Sequence, residues 1–349
     1  MKQKDNSMPG NMTQIRREIL EIPSAVDRLL SEGETAIQRA ARQARDLNPS
    51  FLVSVARGSS DHACTYLKYA SELLLGRPMA SVGPSVASVY GAKLNANGAI
   101  CVSVSQSGES PDIVTMTEAL RASGAMTVAI TNNLESRLAE VADAPLPIHA
   151  GPELSVAATK TFVTSLVAGL WFLAEIKGDA EVLAALKTLP THLEKANTCD
   201  WSAPLDAITG QSVFTLGRGT SWAMSNEAAL KFKETCLIHA ESYSSAEVFH
   251  GPVSIVEQGF PVIAFAAADA AEDSLATTAD QLVGKGATVF ATTDKVRSAT
   301  TLPFVRTDHW LTDPIATIVS FYGMVDAIAK KRGINPDAPR HLNKVTKTV

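Results

Sequence analysis

The chain repeats itself, and this repeat constrains its fold more than any other feature of the sequence. A short apolar run ends in an Arg-Gly-Ser-Ser turn at Arg57, and 161 residues later another apolar run ends in Arg-Gly-Thr-Ser at Arg218. A second pair of similar segments, 124–132 and 286–294, is related by a shift of 162 residues. Two independent matches at nearly one spacing indicate two copies of one folding unit.

Each copy alternates apolar runs with helical patterns of ten or more residues. This alternation is typical of a parallel sheet covered by helices on both faces, so we expect an α/β fold in each half. The predicted organisation is a tail with a helical entry segment, a first domain, a second domain and a C-terminal tail. Their predicted bounds are 1–45, 46–185, 200–338 and 339–349.

Proline and glycine positions predict where helices are interrupted. The entry segment is helical in character over residues 15–45, with an early break at Pro23. Between the halves, over residues 177–210, short helical pieces predict a linker. The expected interruptions are at Gly178, Pro190 and Pro204.

Composition and charge exclude several classes of function. The formal net charge of −5 gives no general attraction to nucleic acid or to an anionic membrane. The longest apolar stretch is too short to span a bilayer, and the first dozen residues lack the apolar core of a secretory signal. The four cysteines are scattered without a CxxC pair or zinc spacing, which fits a reducing compartment. We therefore expect a soluble, cytoplasmic protein with no nucleic-acid or membrane partner.

A serine-rich loop in the first half contains the parts of an anion site. A predicted buried strand ends in Ser105-Gln106-Ser107-Gly108-Glu109-Ser110, and Pro111 then opens a helix for which Ser110 is a suitable N-cap. Hydroxyl groups, a flexible glycine and the amides of a helix N-terminus together bind anions. Ligands of such sheets also bind at the carboxyl ends of the strands, where this loop lies. The alternative is a serine-rich turn that only caps the helix.

The corresponding loop in the second half has lost these groups. Aligned with residues 105–110 is the stretch 267–272, Ala-Ala-Asp-Ala-Ala-Glu. Alanines replace the hydroxyls, and two carboxylates would repel a phosphate. The contrast predicts that phosphate binds in the first half alone.

A predicted helix in the second half carries three charged residues on one face. Glu227, Lys231 and Glu234 are spaced i, i+4 and i+7. An exposed helix would present such a stripe to solvent as salt bridges, but the neighbouring residues here are mostly apolar. His250 follows in a His-Gly-Pro turn, a rigid setting suited to proton transfer.

Taken in order, these motifs resemble a known family. The loop at 105–110 resembles the SQSGE[TS] loop of sugar isomerase (SIS) domains. Further segments resemble the isomerase half of glucosamine-6-phosphate synthase and, most closely, the standalone SIS-type glucosamine-6-phosphate deaminases. Those segments are 227–234, 238–241, 250–252 and 339–344. The resemblance covers residues 12–349 and implies two tandem SIS domains, each a flavodoxin-like, three-layer parallel sheet flanked by helices.

The resemblance also implies which residues contact the sugar. The phosphate and its nearby hydroxyls would contact Ser59, Ser60, Ser105, Gln106, Ser107 and Ser110. The stretch Val156-Ala157-Ala158-Thr159-Lys160 matches the family's VASTK motif, with Ala158 in place of serine, so Val156 and Ala157 would belong to the binding site. It implies neither a metal nor an organic cofactor.

Four further residues would carry the chemistry implied by the resemblance. Glu234 would shuttle a proton between the first two sugar carbons, with Lys231 close by. His250 would assist ring opening from the neighbouring subunit of a homodimer, so that active sites are shared. Lys344 would contact the open-chain carbonyl or form an imine with it; a frayed basic terminus is its structural alternative.

The expected reaction follows from what the sequence lacks relative to the synthase. No segment corresponds to the synthase's glutaminase domain, so we expect the isomerase half to run as a hydrolytic deaminase. It would convert glucosamine-6-phosphate and water to fructose-6-phosphate and ammonia. The alternatives are a plain aldose–ketose isomerase, the isomerase part of an aminotransferase, a galactosamine-6-phosphate deaminase and a fructosamine-phosphate deglycase. A non-catalytic sugar-phosphate sensor would lack the base and the lysine.

Overall fold

The computed structural model describes residues 12–344. The first eleven residues of the predicted entry segment and the last five of the predicted C-terminal tail therefore lie outside the described residues. In the part of the chain from residue 12 onward, three helices precede the first sheet: α1 (Gln14–Leu20), α2 (Ile22–Glu32) and α3 (Glu34–Leu47).

Two parallel five-stranded sheets form the two halves. The first contains β1 (Leu52–Val55), β2 (Met79–Ser81), β3 (Ile100–Val104), β4 (Met126–Thr131) and β5 (Ala144–Pro147). The second contains β6 (Ser212–Gly217), β7 (His239–Ser244), β8 (Pro261–Ala264), β9 (Thr288–Ala291) and β10 (Thr300–Thr301). The orders are β2-β1-β3-β4-β5 and β7-β6-β8-β9-β10, which is the flavodoxin-like order in both sheets. The predicted duplicated α/β fold is confirmed.

Helices cover both sheets and connect them. In the first half these are α4 (Ser59–Leu75), α5 (Ser85–Ser88), α6 (Pro111–Ala122), α7 (Arg137–Val141) and α8 (Lys160–Lys177). Between the halves lie α9 (Ala180–Ala196) and α10 (Ala203–Ala207). The second half contains α11 (Thr220–Cys236), a 3₁₀ turn (Pro252–Ile255), α12 (Glu272–Val283) and α13 (Asp313–Lys331).

One apolar core joins the two halves. Strands β1, β3 and β8 are buried along their whole length, as parallel strands with helices on both faces must be. The largest cluster of buried apolar side chains draws on both sheets. Helix α4 of the first half packs against α11 of the second half, and α11 packs against α13. This packing brings side chains of α11 to the first sheet.

The predicted linker differs from the observed one at Pro190. That proline lies inside α9 without ending it, so the predicted interruption there is wrong. Packing of Val182, Leu186 and Leu193 in the core offsets the hydrogen bond that proline removes from a helix. Gly178 ends α8 with a left-handed conformation, and Pro204 opens α10, as predicted.

Within residues 12–344, no helix combines the length and the apolar composition needed to cross a membrane. All four cysteines are free thiols: Cys64, Cys101 and Cys236 are buried and Cys199 is partly exposed.

Candidate active site

A cavity of about 350 Å³ lies at the carboxyl ends of β1 and β3. These strands are neighbours at the point where the order of the sheet reverses, which is where flavodoxin-like sheets bind their ligands. Its walls come from the turn after β1, the loop after β3, the segment before α8, helix α11 and the C-terminal tail. The lining residues are Arg57, Gly58, Ser59, Ser60, Val104, Ser105, Gln106, Ser107, Ser110, Ile113, Val156, Ala158, Glu234, Leu342, Asn343 and Lys344.

The serine-rich loop is held in a single tight conformation. Ser105 Oγ accepts the Gly108 amide at 3.1 Å, which closes the loop on itself. Gly108 has φ +69°, and a Cβ there would lie 2.1 Å from Ser136 Oγ, so this position requires glycine. Ser110 is the N-cap residue of α6, but its hydroxyl makes no capping bond, contrary to the simplest capping interpretation. The loop therefore presents a hydroxyl and a helix N-terminus to the cavity.

Arg57 ties the two phosphate-side loops together. Its guanidinium lies 2.9 Å from the carboxylate of Asp112, which is fully buried in the first turn of α6. About half of the Arg57 side chain is exposed, and it lines the cavity. Arg57 thus adds positive charge beside the loop. It is not among the predicted contact residues, although its repeated Arg-Gly turn marks its position.

The three charged residues of α11 form a buried network instead of a solvated stripe. The Glu227 and Lys231 side chains are fully buried, and Glu234, 19% exposed, lines the cavity. Lys231 Nζ donates to Glu234 and lies 3.4 Å from Glu227 Oε1. Burial by itself lowers the pKa of Lys231, but the two carboxylates raise it above its ordinary value. Lys231 therefore stays an ammonium group behind Glu234.

Glu227 connects the two halves of the chain. Its carboxylate accepts from Ser59 Oγ at 3.1 Å and from Tyr322 Oη at 3.3 Å, and it lies 3.0 Å from His62 Nδ1. Burial raises the pKa of Tyr322 well above its ordinary value, so this phenol remains a donor. The Ser59 hydroxyl, predicted to contact phosphate, is instead bonded to Glu227, although Ser59 lines the cavity. The reason is the packing of α4 on α11.

Lys344 reaches the cavity from the C-terminal tail and is anchored there. Its Nζ lies 2.9 Å from Glu153 Oε2 and donates to the Ser155 carbonyl at 2.6 Å. Glu153 is fully buried. Burial alone would raise the pKa of Glu153, but the Lys344 ammonium and the hydrogen bonds from Thr161 hold it below its ordinary value. Lys344 is therefore held in a defined position and is not a frayed terminus. Glu153, which holds it, is absent from the predicted set of site residues.

Most, but not all, of the predicted residues meet in this cavity. Ala157 is fully buried and is not among the lining residues; Ala158 lines the cavity with Val156. Lys231 lies behind Glu234. His250 is exposed on its turn and does not line the cavity of its own chain.

The counterpart of the serine-rich loop in the second half lies one residue earlier than the repeat predicts. Helix α12 begins at Glu272, as α6 begins at Pro111, so the structural counterpart of residues 105–110 is 266–271. Glu272 is thus a helical residue, and it pairs with Arg306 and, at 3.1 Å, with Lys295. Asp269 is the carboxylate that remains in this loop, and burial is the main cause that raises its pKa.

Chemically, the cavity combines an anion loop with one carboxylate and one primary amine. Glu234 and Lys344 both line the space beside the serine hydroxyls. Such a set can hold a phosphorylated ligand, move a proton and polarise a carbonyl group. Within residues 12–344, no group of three or more His, Cys, Asp or Glu side chains is placed to hold a metal ion.

Comparisons with known proteins extend over nearly the whole chain. The SIS domain model matches residues 50–175 and 209–329. A candidate phosphosugar isomerase of Silicibacter pomeroyi DSS-3 is 61% identical, with a TM-score of 0.91 over 93% of this chain and 100% of that one. The glucosamine-6-phosphate deaminase of Thermotoga maritima shares the fold at 21% identity, with a TM-score of 0.78 over 96% of this chain and 100% of that one.

The curated relatives are longer proteins. The isomerizing glutamine–fructose-6-phosphate aminotransferase of Methanothermobacter thermautotrophicus is 32% identical over 339 residues, which are 94% of this chain and 56% of that protein. The chain spans about half the length of the curated relatives it matches.

Proposed function

The chain belongs to the SIS domain family, and we propose that it is a phosphosugar isomerase whose reaction is the hydrolytic deamination of glucosamine-6-phosphate. The products would be fructose-6-phosphate and ammonia. The proposal is supported by relatives whose names describe amino-group chemistry on a hexose phosphate coupled to isomerisation.

The observation that carries the proposal is the composition of one cavity. The serine-rich loop, Glu234 and Lys344 line the same space of about 350 Å³. A hexose phosphate with its phosphate on the loop would extend towards α11 and the tail. Its reacting carbons would then lie between a carboxylate and an amine.

In the proposed reaction, the Glu234 carboxylate removes the proton from carbon 2 of the open-chain amino sugar and returns it to carbon 1. The carbon–nitrogen bond at carbon 2 thereby becomes an imine. Water adds to this imine and ammonia leaves, which gives the ketose. Lys344 would donate a hydrogen bond to the carbonyl oxygen at carbon 1, which gains the proton that the nitrogen loses when it becomes an imine. The partner subunit's copy of the His250 turn would assist ring opening.

A sensor function is disfavoured by the same cavity. A protein that only detects a sugar phosphate needs the loop but neither a base nor a lysine. Here Glu234 is backed by the buried Lys231, and Lys344 is held by the buried Glu153. Glu234 and Lys344, one from each ion pair, line the ligand space, where a sensor would need neither.

Product analysis over a panel of phosphosugars tests the proposal. Glucosamine-6-phosphate should yield ammonia and fructose-6-phosphate in equal amounts, and Glu234→Gln should abolish both. The panel includes galactosamine-6-phosphate, a fructosamine phosphate, glucose-6-phosphate, and fructose-6-phosphate with ammonium. Interconversion of glucose-6-phosphate and fructose-6-phosphate without any ammonia release would identify a plain isomerase and overturn the deaminase proposal. Preferential release of amine from another member of the panel would reassign the substrate.

A further inference from the structure

Two buried carboxylates surround the segment that anchors Lys344, and neither belongs to the predicted site. We propose that Glu153 is a positioning residue that places the Lys344 amine, and that Glu18 of α1 fixes the segment from the other side. The inference rests on the proposed function only in giving Lys344 a role in the reaction.

Glu153 is a fixed anchor to which the tail is attached. Its carboxylate accepts from Thr161 Oγ1 at 2.6 Å and from the Thr159 and Thr161 amides at 3.1 and 3.0 Å. These donors lie at the start of α8, whose first residues are buried. Lys344 supplies the remaining contact at 2.9 Å. Because the other partners belong to the core, the position of Glu153 determines where the Lys344 amine lies.

Glu18 fixes the same segment through its backbone. Its side chain is fully buried and accepts the amides of Leu154 and Ser155, the latter at 3.3 Å, and Gln14 Nε2 at 3.0 Å. The Ser155 carbonyl, on the same residue, is the second acceptor for Lys344. Glu18 has no contact with the amine itself, so it acts through the geometry of the segment.

The chain just before the C-terminal tail also contacts α1. The Gln14 and Ile15 amides donate to Asp337 at 2.7 and 2.9 Å. The entry helix therefore holds both the segment that receives Lys344 and the chain that delivers it. This arrangement explains why a helix outside both sheets carries a fully buried carboxylate.

Glutamine at position 153 tests the placement of the amine. It keeps an oxygen acceptor but removes the ion pair with Lys344, so the amine is held less firmly. Glutamine at position 18 leaves that ion pair in place and weakens only the hold on the Leu154 and Ser155 amides.

Competitive acetylation of Lys344 followed by mass spectrometry measures the placement without any turnover. At one fixed pH, the rate of acetylation of Lys344 relative to the exposed Lys93 is compared in the full chain and in Glu153→Gln, Glu18→Gln and Glu272→Gln. Glu272 is the matched control, because it is a buried carboxylate paired with cations in the other half. We expect Lys344 to be acetylated about tenfold faster in Glu153→Gln, because the amine loses its charged partner, with a smaller rise in Glu18→Gln. An unchanged rate in Glu153→Gln, or an equal rise in Glu272→Gln, would overturn the proposal.

Steady-state kinetics separate positioning from mere loss of structure. In Glu153→Gln and Glu18→Gln, kcat should fall by up to about 100-fold while KM changes little, since the misplaced amine affects the chemical step. Glu272→Gln should retain both kcat and KM. A pure rise in KM would contradict the positioning role. Because the acetylation result needs no substrate, failure of the proposed reaction remains distinguishable from failure of this inference.

Discussion

At the scale of single residues, Ser107 and Ala268 give the sharpest contrast in the molecule. Each lies four residues before the helix that follows the third strand of its sheet. Ser107→Asp should weaken binding of fructose-6-phosphate by more than about 100-fold, because like charges in contact cost several kcal/mol. Ala268→Asp, the matched change in the second half, should leave binding within about twofold.

Calorimetric titration of both variants checks this prediction. Retained affinity in Ser107→Asp, or a comparable loss in Ala268→Asp, would show that the phosphate does not bind where the serine loop lies.

The local sequence reveals some residues of the site but not others. The serine loop and Glu234 are recognisable because their neighbours in the chain reveal a strand end or a helix face. Glu153 is not recognisable, because its role depends on a contact with Lys344, which lies 191 residues further along the chain. The role of Glu18 depends in the same way on its contacts with Leu154 and Ser155. A contact between distant segments leaves no local pattern to read.

At the scale of elements, the repeat correctly predicted two sheets because strand and helix periodicities are local properties. The burial of the charged face of α11 could not be predicted in this way. It depends on α4, whose Ser59 and His62 contact Glu227, and on Tyr322 of α13. The same limitation explains Pro190: whether proline ends a helix depends on the packing that holds the helix on either side.

The alignment of the two repeats matches the serine-rich loop to its second-half counterpart with an error of one residue. Glu272 was expected in the loop of the second half but begins α12. The N-cap residue Ala271 makes no side-chain capping bond, and Glu272 pairs with Arg306 and Lys295. The alignment of two loops does not contain these contacts.

At the scale of the whole molecule, the exposed His250 leads to a proposal about assembly. The turn that carries it lies outside the cavity of its own chain. We propose a homodimer in which His250 of one subunit completes the site of the other, as the family resemblance implies. Inactive Glu234→Gln and inactive His250→Ala subunits should therefore recover partial activity after they are mixed and exchanged.

The mixing experiment needs proof of exchange, which mass spectrometry of differently tagged subunits provides. One site in the heterodimer would then contain both Glu234 and His250. Persistent inactivity of verified heterodimers would mean that each site is complete within one chain.

The central claim is that Glu234 moves a proton on a phosphorylated sugar held in the first-half cavity. Nuclear magnetic resonance in deuterium oxide tests it directly, because part of the proton held on Glu234 exchanges with solvent before it is returned, and deuterium then enters at carbon 1 or carbon 2. With fructose-6-phosphate or glucosamine-6-phosphate, the wild-type chain should incorporate deuterium. Glu234→Gln should do so more slowly by roughly two to four orders of magnitude while still binding the sugar. Equal incorporation by Glu234→Gln, or none by the wild-type chain, would contradict the account.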